Sequence, residues 1–400
     1  IIEGNSYAND YTGLTPPWDD NMVYSFHKYG TFNHSYSLDW IIDPIRDEFN
    51  VPIWCGEMGE NSNTWLTNFI KLAEENNIGW SSWPLKKVKV NNPLRVEMNP
   101  EYARLLENWS GQGETLSELE AFEAVLKFAD QHRLENCVIQ YDLIDAMIRQ
   151  PHTTELKSTI YNIEDTIYAV DYAMGRNGYA YFDLDTGAYY NDGLSWVAWN
   201  HDDAYRNDGV DIEVSNDDEA KNKYSVGYIE DGEWLVYLIH NEEAMLYNVM
   251  LRSAAGSSIG NPAASLALEA NGVVISNEFT LPGTDGWYNW KTDTLKDIVL
   301  PAGDIQLKVR FTNAGSNFNF LRFTDPRPAD DIAFESLLCE TSVLGNDIYI
   351  HLNKPITSEE MVPEDFTLFI SDEEAEIDSV FVKDDSEQII VLRSAVSITY

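Results

Sequence analysis

The chain has 400 residues, which is long enough for two or three domains with separate cores. Its 67 acidic and 26 basic residues give a formal net charge of −41. A field of that sign repels nucleic acids and anionic membranes, so we expect neither as a partner, whereas a neutral or cationic partner or a simple role in solubility stays open. The cysteines, 3 in number and far apart, predict neither a disulfide framework nor a zinc site, so no metal site is predicted.

Residues 1–150 alternate between strand and helix patterns. Short strands are predicted at 1–5, 21–29, 51–57 and 77–83; helices are predicted after Ser37, after Asn61, and over 100–109 and 117–150. This alternation predicts parallel strands joined by right-handed crossovers, and the carboxyl ends of such strands meet at one edge of the sheet. No apolar run approaches the roughly 20 residues that a membrane-spanning helix needs.

Polar and aromatic side chains collect at the predicted carboxyl ends of these strands. They are Asn5, Tyr7, His27, Tyr29, Glu57 and Trp83. His27 and Tyr29 are two positions apart, so they point to the same side of a strand, where a hydrogen bond to Glu57 would keep that acid ionised and aimed. Trp83 would offer a ring on which a sugar can stack. Each residue alone also fits an ordinary core position, and Glu57 alone fits a solvated strand exit.

Three phrases of this region resemble the sixth, seventh and eighth strands of family 5 glycoside hydrolases, which are retaining β-glycanases on a (β/α)8 TIM barrel. The phrases are Tyr24-Ser-Phe-His-Lys-Tyr29, Val51-Pro-Ile-Trp-Cys-Gly-Glu-Met-Gly59 and Gly79-Trp-Ser-Ser-Trp83. The resemblance implies that residues 1–150 are the C-terminal half of a TIM barrel, strands five to eight. It makes Glu57 the nucleophile, supported by His27 and Tyr29, and places Trp83 beneath the sugar being cleaved. Asn5 and Tyr7 are further substrate-binding candidates.

The resemblance also implies that one catalytic group is missing. The family's acid/base Glu follows an Asn on the fourth strand, whereas Ile1 corresponds to the fifth. A retaining glycosidase needs two carboxyl groups about 5–5.5 Å apart. We find no second carboxylate at a Gly- or Asn-flanked strand end, and Glu60 is interpreted as an acid at a helix N-terminus. We therefore expect this chain to be a fragment that does not turn over substrate, although its longer parent would.

Residues 151–165 are predicted to be a linker, because Pro151 ends the preceding helix. From 166 to 325 the apolar period becomes two, which predicts a β-sandwich. Turn signals recur at Asp208-Gly, Asp231-Gly, Asn271-Gly and Asp285-Gly. Trp287 follows one of these turns and Asn317 lies in a second polar, aromatic loop. Such rings and amides suit a sugar site, but they equally fit the core of the sandwich.

This segment resembles family 6 carbohydrate-binding modules, which are jelly-roll β-sandwiches. The resemblance lies in Ile167-Tyr-Ala-Val-Asp-Tyr172, Gly178-Tyr-Ala-Tyr-Phe-Asp183, Tyr205-Arg-Asn-Asp-Gly-Val-Asp-Ile-Glu213, Val226-Gly-Tyr-Ile-Glu-Asp-Gly-Glu-Trp-Leu235, Gly286-Trp-Tyr-Asn-Trp290 and Asn317-Phe-Asn-Phe-Leu-Arg-Phe323. It implies that Tyr228 and Trp287 sandwich one sugar, that Asn317 binds its hydroxyls, and that Trp234 lies in a second cleft on the concave face.

The same family carries a structural calcium ion that is held partly by two glutamates in an Ile-Glu-Ala-Glu phrase. Here the phrase is Ile167-Tyr-Ala-Val170, so both acids are replaced. Calcium needs several oxygen ligands, so the substitutions argue against this ion and we expect no cofactor.

Residues 326–400 are predicted to be a small acidic domain that begins after Pro326-Arg-Pro328. Strands are predicted over 347–352, 366–370, 379–382 and 388–392, and Ser397–Tyr400 ends in strand. The phrases Asn353-Lys-Pro-Ile and Pro363-Glu-Asp-Phe366 resemble bacterial Ig-like spacer domains, which implies a small Ig-like β-sandwich with a structural role.

Two hypotheses about function remain open at this point. The first is a secreted, extracellular retaining β-glycanase, endo-β-1,4-glucanase-like, with polysaccharide targeting by its module. The alternative is a non-catalytic polysaccharide-binding protein in which the barrel remnant is a scaffold. In both, the partner is a β-glycan such as cellulose, xylan or β-glucan, and the full-length protein is expected to be a monomer.

Overall fold

A computed structural model describes residues 1–30, 32–88, 92–184, 205–329, 332–356, 361–370, 373–384 and 386–395. The chain divides into two compact units. The first comprises Ile1–Glu155, Met174–Tyr179 and the described residues 205–213. The second comprises Leu156–Ala173, Ala180–Leu184 and the described residues from Val214 onward. Within the described ranges, every helix is too short or too polar to span a lipid bilayer. The segments predicted from the sequence, 1–150, 151–165, 166–325 and 326–400, stay predictions.

The first unit contains short strands and helices in alternation. Its strands are β1 (Ile2–Glu3), β2 (Tyr24–Tyr29), β3 (Ile53–Gly59), β4 (Gly79–Trp83), β5 (Lys86–Val88), β6 (Leu94–Val96) and β7 (Val138–Ile139). Its helices are α1 (Asn5–Ala8), α2 (Asp39–Ile41), α3 (Asn63–Glu75), α4 (Pro100–Trp109), α5 (Glu118–Gln131) and α6 (Tyr141–Ile148). Strands β1 to β4 pair in parallel in chain order, as predicted. A separate small sheet has the order β5-β6-β7.

Helix α3 closes one face of the parallel sheet. Ser62 caps it, because the Ser62 hydroxyl accepts a hydrogen bond from the Trp65 amide at 3.2 Å. Trp65, Leu66, Phe69 and Ile70 are buried in one cluster with side chains of β2 and β3. Burying four such large side chains stabilises the unit by roughly 1.5–3 kcal/mol each, which fixes the helix directly behind the strand that carries Glu57.

A buried polar network holds the start of α3. The Asn63 amide donates to Asp142 Oδ2 at 2.7 Å and to Asp208 Oδ1 at 2.5 Å, while Thr64 Oγ1 donates to the Asp208 carbonyl at 2.8 Å. Arg206 pairs with Asp208, and both side chains are buried. Because unpaired buried polar groups are costly, this network ties residues 205–213 to the first unit. Burial, reinforced by the charge of Asp208, raises the pKa of the Asp142 carboxyl.

Two helix predictions for this unit were wrong in detail. Residues 117–150 do not form one helix: α5 ends at Gln131, β7 pairs with β6, and α6 begins at Tyr141. The Ser37 hydroxyl does not cap α2; it accepts from the His34 amide and donates to the Phe32 carbonyl, each at 2.9 Å. Trp40 of α2 is 41% exposed.

The second unit is built of strands. In the region that resembles the binding module they are β8 (Ile160–Asn162), β9 (Ile167–Tyr168), β10 (Tyr181–Phe182), β11 (Ile212–Val214), β12 (Tyr224–Val226), β13 (Trp234–Asn241), β14 (Met245–Ala255), β15 (Pro262–Ala270), β16 (Val273–Val274), β17 (Phe279–Pro282), β18 (Gly286–Leu300), β19 (Gly303–Asn313) and β20 (Asn317–Pro328). One sheet has the order β10-β13-β19-β15-β16, and another contains the run β12-β20-β14-β18. Their facing side chains, among them Tyr237, Leu251, Val309 and Phe318, are fully buried, as a sandwich requires.

The C-terminal residues form two further small sheets. Their strands are β21 (Ser336–Thr341), β22 (Asp347–Leu352), β23 (Leu368–Ile370), β24 (Glu373–Ala375), β25 (Ile377–Lys383) and β26 (Ser386–Ser394). One antiparallel sheet has the order β21-β22-β26-β25, and β23 pairs with β24. Ile348, Leu352, Ile390 and Leu392 form the buried cluster of this part. The four strands predicted here are confirmed, whereas Ser397–Tyr400 lies outside the described residues.

Candidate functional site

The parallel sheet brings four of the predicted residues to the carboxyl ends of adjacent strands. His27 on β2 lies opposite Glu57 on β3. Gly59 of β3 lies opposite both Tyr29 of β2 and Trp83 of β4. Carboxyl ends of neighbouring parallel strands are where barrel enzymes place their reactive groups. The sheet therefore brings His27, Tyr29, Glu57 and Trp83 to neighbouring strand ends.

A β-bulge sets the direction of Glu57. The pairing of β3 shifts between Cys55 and Glu57 on one side and between Cys55 and Met58 on the other, so Gly56 is the extra residue. A Cβ at Gly56 would lie 2.3 Å from Ser25 Oγ, so any other residue would displace the Ser25 side chain. The bulge leaves Met58 fully buried in the core, while the Glu57 side chain is 29% exposed. Glu57 is thus held by the sheet and reachable by a solute.

Both side chains that contact the Glu57 carboxylate do so at the same oxygen, Oε2. The Tyr29 hydroxyl donates to Glu57 Oε2 at 2.8 Å, and His27 Nδ1 lies 3.4 Å from the same oxygen. Burial, and then this hydrogen bond, raise the pKa of the Tyr29 hydroxyl far above its usual range, so Tyr29 stays protonated and remains a donor. Among the described residues, Oε1 of Glu57 has no recorded hydrogen-bond partner and can approach an electrophile.

The structure adds a carboxylate that the sequence reasoning missed. Glu3 Oε1 lies 3.3 Å from His27 Nε2 and accepts a hydrogen bond from Ser25 Oγ at 3.0 Å. The His27 ring therefore has a carboxylate at each nitrogen, Glu57 at one and Glu3 at the other. A neutral imidazole can donate to only one of them, whereas an imidazolium donates to both. The signal was present in the sequence, since Glu3 precedes Gly4 and Asn5 at a strand end.

Asn5 and Tyr7 lie in the loop that follows β1. Ser6, Tyr7 and Ala8 have left-handed backbone angles, with φ of 52°, 57° and 61°, so the chain turns sharply there. Tyr7 is 89% exposed. Within the described ranges neither side chain hydrogen-bonds to His27, Tyr29 or Glu57, so their predicted role in substrate binding stays a prediction.

Trp83 ends β4 beside the Glu57 strand and is 50% exposed. Gly59 permits this close approach, because a Cβ at that position would lie 2.5 Å from the Trp83 carbonyl oxygen and the Gly59 φ is 141°. Glu60 does not belong to the group: its carboxylate pairs with Lys87 Nζ at 2.6 Å. Trp83 therefore presents an open ring next to the reachable carboxylate, as a stacking platform would.

Lys28 points away from Glu57 into the protein, although it lies between His27 and Tyr29 in sequence. Its ammonium donates to the carbonyl oxygens of Gly30 at 3.2 Å and Phe32 at 3.3 Å, and it lies 5.3 Å from the centre of the Trp65 ring. Burial lowers the pKa of this ammonium to about 8. The Lys28 ammonium therefore holds the backbone of Gly30 and Phe32, which follow β2.

The buried ammonium should make stability depend on pH. The pKa of Lys28 is lower in the folded chain than the usual value of about 10.4, so between the two values the unfolded chain binds more protons. The free energy of unfolding therefore rises with pH over that window. Between pH 7 and 9.5, we expect the free energy of unfolding of the unaltered chain to rise by about 2 kcal/mol more than that of Lys28→Met. Thermal unfolding of both proteins across that range measures the difference; parallel curves would contradict the burial of a charged Lys28.

In the second unit, Trp287 and Asn317 come together as predicted. The Asn317 amide donates to the Trp287 carbonyl at 2.9 Å. The Trp287 ring lies against Gly256, where a Cβ would approach the ring to 3.0 Å. Trp287 is 49% exposed and Tyr228 is 55% exposed, so neither ring belongs to the sandwich core. The two half-exposed rings suit the binding of a sugar, whereas Asn317 is only 2% exposed and acts here by holding the Trp287 backbone.

Trp234, predicted for the second cleft, is half-buried on β13. Its ring is near parallel to that of Phe182, with 6.3 Å between centres, and Lys308 Nζ lies 4.6 Å from the ring centre. These partners already occupy much of the ring. Trp234 therefore offers less free surface to a ligand than Trp287 does.

The residues at the expected calcium position do not fit that ion. Tyr168 uses its hydroxyl oxygen to accept a hydrogen bond from the Lys221 amide at 3.0 Å, and Val170 is fully buried. Neither supplies the carboxylate oxygens that calcium requires. In the part of the chain that the structure describes, no group of three or more His, Cys, Asp or Glu side chains is placed to hold a metal.

Comparison with known protein families supports both resemblances. Residues 1–88 match the family model for cellulase, glycosyl hydrolase family 5, and residues 202–325 match that for carbohydrate-binding module family 6. No curated protein matches the chain.

Several solved structures are similar to a part of this chain. A module of Cellvibrio mixtus lichenase 5A, in complex with cellotriose, is 22% identical, with a TM-score of 0.29 over 41% of this chain and 99% of that one. A module from a marine Zobellia galactanivorans laminarinase is 25% identical, with a TM-score of 0.26 over 29% and 88%. A β-1,3-glucan-binding module of Bacillus halodurans is 19% identical, with a TM-score of 0.29 over 42% and 99%. The chain thus joins a fragment that matches family 5 cellulases to a segment that matches family 6 carbohydrate-binding modules.

Proposed function

We propose that the first unit comes from a retaining, endo-β-1,4-glucanase-like hydrolase of β-linked polysaccharide, and that the module in the second unit binds the same class of polymer. The observation that carries the catalytic part is the Glu57 carboxylate, which Tyr29 and His27 hold by one oxygen while the other stays open. The match of residues 1–88 to the cellulase family supports it.

In the proposed reaction, Glu57 attacks the anomeric carbon and forms a glycosyl ester as the bond to the leaving oxygen breaks. A general acid protonates that oxygen, and water then cleaves the ester. Tyr29 orients and stabilises the attacking carboxylate, and Trp83 stacks against the sugar. The second carboxylate near His27 is that of Glu3, which lies at Nε2 of the ring, whereas Glu57 lies at Nδ1.

We further propose that the 400-residue chain is inactive on polysaccharide. Residues 1–150 contain no Asn-Glu pair of the kind that carries the family's acid/base. Without a proton donor, the leaving alkoxide of a natural glycan is too basic to depart readily, so the first step stops. Glu57-dependent release of reducing sugar from barley β-glucan by this chain would contradict the proposal.

The alternative is a non-catalytic polysaccharide-binding protein. The exposed Trp287 and Tyr228 rings favour it, because they can bind a sugar without any contribution from Glu57. Affinity electrophoresis tests polysaccharide binding, which both hypotheses share. We expect the chain to be retarded in gels that contain hydroxyethylcellulose, xylan or barley β-glucan, and not in gels that contain dextran. Equal mobility in all gels would overturn polysaccharide binding.

The remaining assignments follow from this function. We propose a secreted, extracellular protein that is monomeric at full length, since the substrate is an insoluble or extracellular polymer. The formal charge of −41 disfavours nucleic acid and anionic membrane as partners. We propose an Ig-like spacer for the C-terminal sheets, supported by their antiparallel pairing and small shared core.

A further inference from the structure

A cavity of about 660 Å³ opens beside the Glu57 group in the first unit. His27 and Tyr29, which hold the carboxylate, form part of its wall. Its volume lies within the range of about 300–1,000 Å³ that is usual for small-molecule sites. The cavity and the Glu57 group therefore share two residues, His27 and Tyr29.

The rest of the wall is largely aromatic and exposed. The ring centres of Phe32 and His34 are 5.1 Å apart, and those of His34 and Tyr36 are 5.2 Å apart with 25° between the ring planes. Phe32 is 50% and Tyr36 64% exposed. Trp40 completes the wall; it is 41% exposed and rests edge-on against the buried Phe26 at 5.8 Å. We call Phe32, Tyr36 and Trp40 the aromatic shelf.

Hydrogen bonds fix the backbone that carries the shelf. Lys28 Nζ and Ser37 Oγ both donate to the Phe32 carbonyl, at 3.3 Å and 2.9 Å. The Asn33 amide donates to the Trp65 carbonyl at 3.2 Å. Rings that are held in place before binding lose little conformational entropy when a ligand arrives, so exposed aromatics in this setting suit recognition.

We propose that the aromatic shelf binds a further pyranose unit of the β-glycan chain whose scissile linkage lies at Glu57. This inference rests on the proposed function and deepens it. A pyranose presents flat C–H faces to the rings and equatorial hydroxyls to the rim, where Asn9 and Ser37 supply polar groups. Because His27 and Tyr29 line the same cavity, a neutral sugar on the shelf lies next to the residues that hold Glu57.

Fluorine NMR of the full chain, labelled with fluorotryptophan and carrying Trp287→Ala to weaken module binding, tests the shelf. The Trp40 and Trp83 resonances are assigned by their loss in Trp40→Phe and Trp83→Phe. We expect cellohexaose to shift both resonances and cellobiose to shift the Trp40 resonance much less. Tyr36→Ala should weaken the response of Trp40 to cellohexaose by roughly fivefold, as expected for one lost stacking partner.

Tyr141→Ala is the matched control, because Tyr141 is also exposed, at 67%, and lies on α6 outside the cavity. It should leave both responses unchanged. Phe32→Ala provides a second shelf variant and should act like Tyr36→Ala. If cellohexaose shifts the Trp83 resonance while that of Trp40 stays fixed or ignores both shelf variants, the shelf is wrong and the proposed function stands. If neither resonance responds, sugar binding at this unit is refuted and the shelf with it.

Discussion

Substituting Glu57 by Gln should abolish covalent labelling of the chain by a dinitrophenyl fluoro-cellobioside, in which fluorine replaces the hydroxyl next to the anomeric carbon. The dinitrophenolate leaves without a proton, so the reagent needs the nucleophile and no acid. Glu57 forms the new ester bond to the anomeric carbon as the bond to dinitrophenolate breaks, and the fluorine slows the loss of the ester. The unaltered chain should therefore gain the mass of one fluoro-cellobiosyl group.

Removal of an enzyme nucleophile typically costs several orders of magnitude in rate, so labelling of Glu57→Gln should be slower by about a thousandfold or more. Intact-protein mass spectrometry against time gives the rate, and a digest locates the ester. Glu60→Gln is the control: that acid is three positions away and paired with Lys87 at 2.6 Å, so its loss should not matter. Equal labelling of Glu57→Gln, or none of the unaltered chain, would refute the assignment of the nucleophile.

Tyr29 offers a graded version of the same test. Its hydroxyl is the closest recorded donor to the Glu57 carboxylate, at 2.8 Å. Tyr29→Phe removes that donor and keeps the ring, so labelling should persist but slow by roughly ten- to a hundredfold, since a hydrogen bond to a charged group contributes roughly 1.5–3 kcal/mol. A rate equal to that of the unaltered chain would mean that Tyr29 does not position the carboxylate.

The grouping of His27, Tyr29, Glu57 and Trp83 could be predicted because strand order and side-chain alternation follow local patterns. The direction of the Glu57 side chain could not, since it depends on a bulge at Gly56 that appears only when β3 pairs with its neighbours. Glu3 could have been found from its place before Gly4 at a strand end, but its contact with His27 follows only from the pairing of β1 with β2.

Tertiary contacts also decided where the helical predictions failed. The Leu-rich run after residue 117 has helical spacing, and Ser117 begins α5 with a capping box. Residues 138–139 nevertheless pair with β6, because a strand partner outweighs a weak helical preference. Ser37 suits a helix cap, yet its hydroxyl bonds to Phe32 and His34 instead. Both Ser37 and the partly exposed Trp40 line the cavity.

In the second unit, sugar binding should depend most on Trp287. The ring is half-exposed, lies against Gly256 and has its carbonyl held by the buried Asn317, so it is a rigid, open surface. Trp287→Ala removes both stacking area and ring-specific attraction. We expect the dissociation constant for a soluble β-glucan to rise more than tenfold, which corresponds to more than about 1.4 kcal/mol. Affinity electrophoresis or isothermal titration calorimetry with barley β-glucan measures it.

Two matched Trp substitutions separate this cleft from its alternatives. Trp109→Ala removes a 64% exposed Trp of the first unit and should leave binding unchanged. Trp234→Ala should have a small effect, because Phe182 and Lys308 already contact that ring. If Trp234→Ala abolishes binding and Trp287→Ala does not, the ligand lies on the concave face and our assignment is wrong. Because Asn317 holds the Trp287 backbone, Asn317→Ala should weaken binding even for a ligand that never touches the amide.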